Sequence, residues 1–300
     1  MKSKLVYWLT YAGMWLLALL PFRALYILSD GVCFLMRHVV HYRRKVVRKN
    51  LKNSFPEKSE AELREIEREF YRYICDYMLE EIKMMRMSFE DLSRGMEYGN
   101  TEEYLAMLEK HGGIVVLIPH YANFEWLTAM GAFMKPEDVP LQVYKPLRNK
   151  YMDEMFKIIR ARHGGYNVPK HSTAREVIRL RREGKHVVIG LITDQSPNRN
   201  EAHHWTTFLN QDTVFMDGGE RIARMMNYPV FYCELEKRGR GYCKAYFDLL
   251  TETPKQTAEG EITELFVRRL EQTIRRAPAY WFWSHKRWKL TREDLKKQHE

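Results

Sequence analysis

Cysteine is scarce in this 300-residue chain: Cys33, Cys75, Cys233 and Cys243 are all there are, and no two form a CxxC pair. A disulfide scaffold is excluded, and a cysteine-based zinc site with it. His203 and His204 stand side by side without a third ligand at suitable spacing, so no metal is expected. Internal repeats and low-complexity linkers are missing. With 45% hydrophobic and 29% charged residues the chain is globular in composition, neither disordered nor collagen-like. A mean hydropathy of −0.51 excludes a polytopic membrane protein. There is no G-x-S-x-G and no cysteine in a reactive-looking setting, so nothing points to a covalent nucleophile. Acidic residues are absent between Asp30 and Glu57, and over the whole chain bases exceed acids by ten.

The amino terminus carries the apolar residues that the rest spreads thinly. Leu5–Leu20 holds sixteen residues without a charge, followed by Pro21 and Arg23, and a second apolar stretch runs from Ala24 to Val40. As a helix the first would reach about 24 Å, short of the roughly 30 Å of a bilayer's hydrocarbon core. No small-x-small cleavage site followed by a polar region marks it as a signal peptide. Two readings compete: a pair of buried core helices, or a membrane anchor with Tyr7, Trp8, Tyr11 and Trp15 at the interface. The next segment favours the anchor. Arg37, Arg43, Arg44, Lys45, Arg48, Lys49 and Lys52 make seven cations beside the apolar stretch. At an anionic leaflet each is worth about 1 kcal/mol, and their excess over Lys2 and Lys4 places the body in the cytoplasm. A solvated helix face or a nucleic-acid patch are the other readings of the same charges. The expected division is an anchor and basic segment over 1–56 and a catalytic domain over 57–300.

In the body, Ser59-Glu-Ala-Glu62 is a capping box that opens a helix from about Glu60 to Met87, with Leu63, Ile66, Phe70, Ile74 and Tyr77 on one face. A second helix ends near Glu109 before Gly112-Gly113. Ile114–Ile118, I-V-V-L-I, suits a strand buried on both faces of a sheet. Pro140–Tyr144 and His186–Ile192 are two more strands, and Pro229–Glu236 and Tyr242–Leu250 a strand pair. Helices are expected from about Asn123, over Tyr151–Arg162, Thr173–Arg182, Gly218–Met226 and Glu261–Arg276. The alternation predicts an α/β fold with a mostly parallel central sheet flanked by helices. Met84, Met85 and Met87 read as core or acyl-facing packing. Trp281-Phe-Trp283 reads as buried under the sheet, with Lys286, Arg287 and Lys289 placed to touch lipid headgroups.

The chemical centre is Ile118-Pro-His120-Tyr-Ala-Asn-Phe-Glu125. His120 falls where the first central strand ends, the side of an open α/β sheet that binds ligands. On one continuous helix, residues five apart differ by about 140° and would not share a face. If His120 lies in the loop and Asn123 caps the helix, Glu125 falls in the first turn and reaches back to the imidazole. A carboxylate on one ring nitrogen leaves the other free as a base. Such a pair suits deprotonation of a substrate hydroxyl. Asp194-Gln195, at the end of the third central strand, is either a nearby site element or a turn.

These residues resemble the late lipid A acyltransferases of Gram-negative bacteria, from about Leu5 to Lys289. The resemblance rests on Arg43-Arg-Lys-Val-Val-Arg-Lys-Asn50-Leu-Lys-Asn-Ser-Phe55-Pro56, on His120…Glu125, on Tyr144-Lys145-Pro146, on Thr193-Asp194-Gln195, and on Trp283-Ser-His285-Lys286-Arg287-Trp288-Lys289. It implies a glycerol-3-phosphate-acyltransferase-like fold. It also implies transfer of an acyl chain from an acyl-carrier-protein thioester to a hydroxyl of a lipid A precursor, at the cytoplasmic face of the inner membrane. His120 would be the base and Glu125 its orienting partner. No cofactor is implied, the thioester being a co-substrate. Lys145 stands where the family has arginine; lysine keeps the charge but loses the bidentate fork, so Arg148 or Arg160 is expected to supply it beside Lys145, Asp194 and Gln195 in binding substrate. The +10 charge fits an acidic carrier protein, an anionic acceptor and an anionic membrane surface. Two other functions remain: acylation of a different lipid, such as a lyso-aminolipid or a glycosylated phospholipid, and a non-catalytic basic module for nucleic acid or anionic lipid. The last lacks any RRM, KH or helix-turn-helix pattern, so no nucleic acid is expected as a partner.

Overall fold

The computed structural model describes residues 2–146 and 149–296. The chain begins with α1 (Lys2–Leu19) and α2 (Phe22–Leu35), a single π-helical turn at Met36–Val40, and α3 (Arg44–Ser54). Then come α4 (Glu60–Lys83), α5 (Phe89–Gly95), β1 (Met96–Gly99), α6 (Thr101–His111) and β2 (Gly113–Ile118). A 3-10 segment over Phe124–Ala132 leads to β3 (Asp138–Tyr144), α7 (Lys150–Ala161), β4 (Tyr166–Pro169), α8 (Thr173–Arg182) and β5 (His186–Ile192). The remainder is β6 (His204–Phe208), β7 (Gln211–Phe215), α9 (Gly218–Met226), β8 (Val230–Gly239), β9 (Tyr242–Thr251), α10 (Glu261–Arg276) and α11 (Arg292–Lys296).

Seven strands form one sheet in the order β1-β9-β8-β2-β5-β3-β4, parallel except for the β8–β9 pair, and α6, α8, α9 and α10 pack against it. This is the α/β architecture expected. The central strand β2 is buried at all six positions, which is why after Gly113 it reads as an unbroken run of Ile, Val and Leu rather than as an alternation. Its first residue has to be glycine: a Cβ at Gly113 would sit 2.3 Å from the Tyr228 ring. The two edge strands β1 and β4 and the separate β6–β7 hairpin were not anticipated; each spans only four or five residues.

Ser59 caps α4 in the predicted manner: its hydroxyl accepts from the Glu62 N–H, and the Ser59 N–H donates to the Glu62 carboxylate at 2.8 Å. The helix stops at Lys83 rather than Met87. There the Lys83 ammonium donates to the carbonyls of Ala18 and Leu20 at the end of α1, and Met84, Met85 and Met87 turn inward and are buried. The segment after β2 also differs from expectation. It is a 3-10 helix, and Asn123 does not cap it: its side-chain NH₂ donates to Glu80, and its Oδ1, the atom a cap would use, is buried without a partner among the described residues.

No helix among the described residues is long and apolar enough to cross a membrane. The apolar amino-terminal helices are nonetheless only half covered. They lean on α4, while Trp8, Leu9, Leu16, Ile27 and Phe34 stay 60% or more exposed. The cations that follow are partly engaged by the protein: Arg44 and Arg48 pair with Glu67, Lys52 with Glu60, and Arg43 donates to the Ser284 carbonyl. Asn50 is buried and its amide bonds the carbonyls of Trp283 and His285, at 2.8 and 3.0 Å. So the basic stretch serves as a clamp on the carboxyl-terminal segment as well as a charged surface. Arg287 is not a surface residue as expected. It is 1% exposed, donates to the Thr213 hydroxyl and Val214 carbonyl, and stacks over the Phe215 ring.

Candidate active site

Strand register decides who meets whom. In the parallel β2–β5 pair, Ile118 lies opposite Ile192. Two residues beyond those paired ends stand His120 and Asp194, and the chain brings them together. His120 Nδ1 is 2.6 Å from Asp194 Oδ1, and the His120 backbone N–H donates to Oδ2 at 3.0 Å. The Trp281 indole N–H donates to the same oxygen at 2.7 Å. Asp194 is 1% exposed. Burial by itself would raise its carboxyl; the facing imidazole and the donated hydrogen bonds outweigh it and hold the group below the usual carboxylate range.

The expected contact between Glu125 and His120 is absent. Glu125 does lie in the first turn of the 3-10 segment, but its carboxylate takes the Arg160 guanidinium in a fork, at 2.9 and 2.5 Å. Ala122, two residues past His120, adopts a left-handed conformation with φ 48, and this turn carries Glu125 away from the imidazole. The orienting carboxylate is therefore Asp194, on another strand. The His120 ring is held between Phe124 and Phe282, centroids 5.0 and 5.5 Å away, and its Nε2 has no protein partner among the described residues.

His120 lines a cavity of about 960 Å³ together with Glu125, Arg160, Lys145 and Gln195. Its inner wall is apolar, built from Val116 and Ile118 of β2, Leu141 of β3 and Val188 of β5. At the rim stand Lys145, Lys170 and His171. The Glu125 carboxylate raises the pKa of the half-buried Arg160 guanidinium against the opposing pull of burial, so Arg160 stays charged at the edge of an apolar trough. Asp194 is behind His120, outside the lining. Arg148 lies outside the described residues. His204 bonds Glu264 at 2.8 Å, away from this cavity.

A sequence profile for the bacterial lipid A biosynthesis acyltransferases matches residues 1–290. The chain belongs to this family. It is an acyltransferase. Over 295 residues it is 23% identical to a lipid A biosynthesis lauroyltransferase of Escherichia coli K12, covering 96% of this chain and 94% of that one. It is 20% identical over 292 residues to a lipid A biosynthesis palmitoleoyltransferase of the same organism, covering 94% and 92%. A lipid A biosynthesis acyltransferase of Shigella flexneri is similar to the same degree.

Sequence reasoning missed three parts of the acyltransferase's site. Trp281 and Phe282 were placed under the sheet as one cluster. The chain turns tightly at Phe282, where the Trp283 N–H donates to the Trp281 carbonyl at 2.8 Å. Trp281 and Trp283 are buried, 2% and 0% exposed, while Phe282 reaches the cavity beside His120. Lys170 and His171 at the rim carried no motif. Ser196 was also overlooked. Its N–H donates to His285 Nε2 at 3.2 Å and its hydroxyl is buried without a partner among the described residues. That bond needs His285 neutral, and burial, the largest influence on it, pushes its pKa down to about 4.

Proposed function

We propose that this acyltransferase moves a fatty acyl chain from an acyl-carrier-protein thioester to a hydroxyl of a lipid A precursor, working on the cytoplasmic face of a bacterial inner membrane. One observation carries the reading: a carboxylate-bound imidazole, its Nε2 without a protein partner among the described residues, lines an apolar cavity with cations at the rim. His120 Nε2 takes the proton of the acceptor hydroxyl as its oxygen attacks the thioester carbonyl. Asp194 stabilises the imidazolium that forms. When the tetrahedral intermediate collapses the C–S bond breaks, and the imidazolium proton goes to the departing thiolate. The apolar wall suits the acyl chain, while Lys145, Lys170 and Arg160 suit phosphate on the acceptor.

The same reading accounts for the uncovered apolar residues of α1 and α2. Two short apolar helices that both pack on α4, followed in the chain by Arg37, Lys45 and Lys49, which have no ion pair among the described residues, fit a segment that rests in the interface rather than crosses it. Lys145 in place of arginine favours a second acceptor, another hydroxyl-bearing membrane lipid, because a point charge does not demand the bidentate phosphate geometry. The deciding experiment is gene deletion followed by mass spectrometry of the lipids, with purified protein, acyl-carrier thioester and lipid A precursor assayed in parallel. Loss of one acyl chain from lipid A, restored by the wild-type gene and not by His120→Ala, is the expected result. An unchanged lipid A with a different lipid short of a chain would transfer the reading to the second acceptor.

A further inference from the structure

Glu80 lies on α4 and is 1% exposed. Its carboxylate accepts from four separate segments. Tyr26 on α2 donates its hydroxyl at 3.0 Å, the Gly241 backbone N–H at 3.0 Å, and the Lys237 ammonium of β8 at 3.1 and 3.3 Å. The fourth donor is the Asn123 amide, at 2.8 Å. Asn123 is completely buried and sits between His120 and Glu125 in the chain. The backbone beside it is equally constrained. Ala122, in its left-handed conformation, accepts from the Tyr73 hydroxyl at 2.8 Å and donates to the Tyr280 carbonyl at 2.9 Å. A non-glycine residue stays in that region only where its surroundings over-determine it. At the far end of the network Tyr26 belongs to the helix whose Ile27 and Phe34 are exposed. Burial, then the Glu80 charge, push the Tyr26 phenol well above its usual pKa, so it remains a donor. Glu80 itself neither lines the cavity nor touches His120.

We propose that Glu80 is a positioning residue of the site: it anchors Asn123, and with it the turn from His120 to Glu125, and through Tyr26 it makes that turn depend on how α2 is seated. The catalytic consequence rests on the acyl-transfer reading; the geometric one does not.

The test is a double-mutant cycle of Tyr26→Phe and Asn123→Ala in the full-length protein in detergent. It is read by the imidazole NMR resonances of His120 and, independently, by kcat and KM. Tyr26→Phe alone shifts the His120 resonances and lowers kcat about fivefold with KM unchanged, a modest misplacement of the base being enough for that. In the Asn123→Ala background the same substitution does neither, because the path runs through Asn123. Equal effects in both backgrounds, or a change in thermal stability alone, overturn the proposal. Glu80→Gln combined with Lys237→Met, which leaves no buried charge alone, must reproduce Asn123→Ala on both readouts. A folded double variant with His120 resonances in their wild-type positions also overturns it. Should the wild type move no acyl chain, the acyl-transfer reading falls while the His120 resonances still decide the inference.

Discussion

His120 and Asp194 are 74 positions apart in the chain and 2.6 Å apart in space, joined by a parallel register that brings both strand ends level. The pair is closed from behind by Trp281, whose indole N–H leaves Asp194 no freedom to turn. A carboxylate at Nδ1 favours the tautomer that carries its proton there, which leaves Nε2, without a protein partner among the described residues, as the acceptor.

Asp194→Asn keeps the shape of that partner and removes its charge. We expect it to lower kcat by about 10²–10⁴-fold with the fold intact, as monitored by circular dichroism and thermal unfolding. His120→Ala abolishes turnover. If Asp194→Asn turned over like wild type, the imidazole would have to be oriented by some other group.

Glu125 and Arg160 form one unit, and their substitutions should behave as one. Glu125→Gln and Arg160→Lys each lower kcat/KM by about tenfold, and the double variant is no worse than either single, because the second change removes an interaction already lost. Additive losses measured in steady-state kinetics would mean that Glu125 acts on the reaction by a route of its own.

Acid should unfold the protein through His285. Its folded pKa is pushed down to about 4 by burial, below the ordinary value of 6.5, so the unfolded chain takes up the proton first as pH falls. The stability it contributes is complete above pH 6.5 and is lost progressively between 6.5 and 4. His163, also lowered chiefly by burial, acts in the same direction. Asp194, whose folded carboxyl lies below the ordinary 3.8, gives up its contribution only under still more acid conditions. In thermal melts across this range, His285→Gln should flatten the slope between pH 6.5 and 4; an unchanged slope would mean that His285 is already protonated in the folded protein.

The uncovered faces of α1 and α2 make a prediction about lipid. Leu9→Glu and Ile27→Glu, at positions 65% and 75% exposed, should each weaken co-sedimentation with anionic vesicles by about tenfold without lowering the melting temperature. Binding that survived both substitutions would move the lipid contact to another surface.

How much of this was legible beforehand depends on how local the cause was. The Ser59 capping box, the limits of α8, α9 and α10, and β2 and β5 could all be read, because a cap, a helical period or a continuous β-branched run is set by neighbours in sequence. The short edge strands could not, since four residues carry too little periodicity to stand out. His120 was found from its place after an apolar strand. Its partner was assigned to Glu125, five residues on, when the nearer choice in space was Asp194. Arg287 looked like one more cation in a basic run, and only the arrival of Thr213, Val214 and Phe215 around it makes it an interior residue.

By itself the sequence settled the α/β class, the place of His120 just past a central strand, the excess of positive charge and the apolar character of the amino terminus, since each is written in residue type and spacing. The fold alone decided which carboxylate serves the imidazole and which serves Arg160. A parallel register and the left-handed turn at Ala122 aim those side chains, and both arise from packing among segments far apart in the chain.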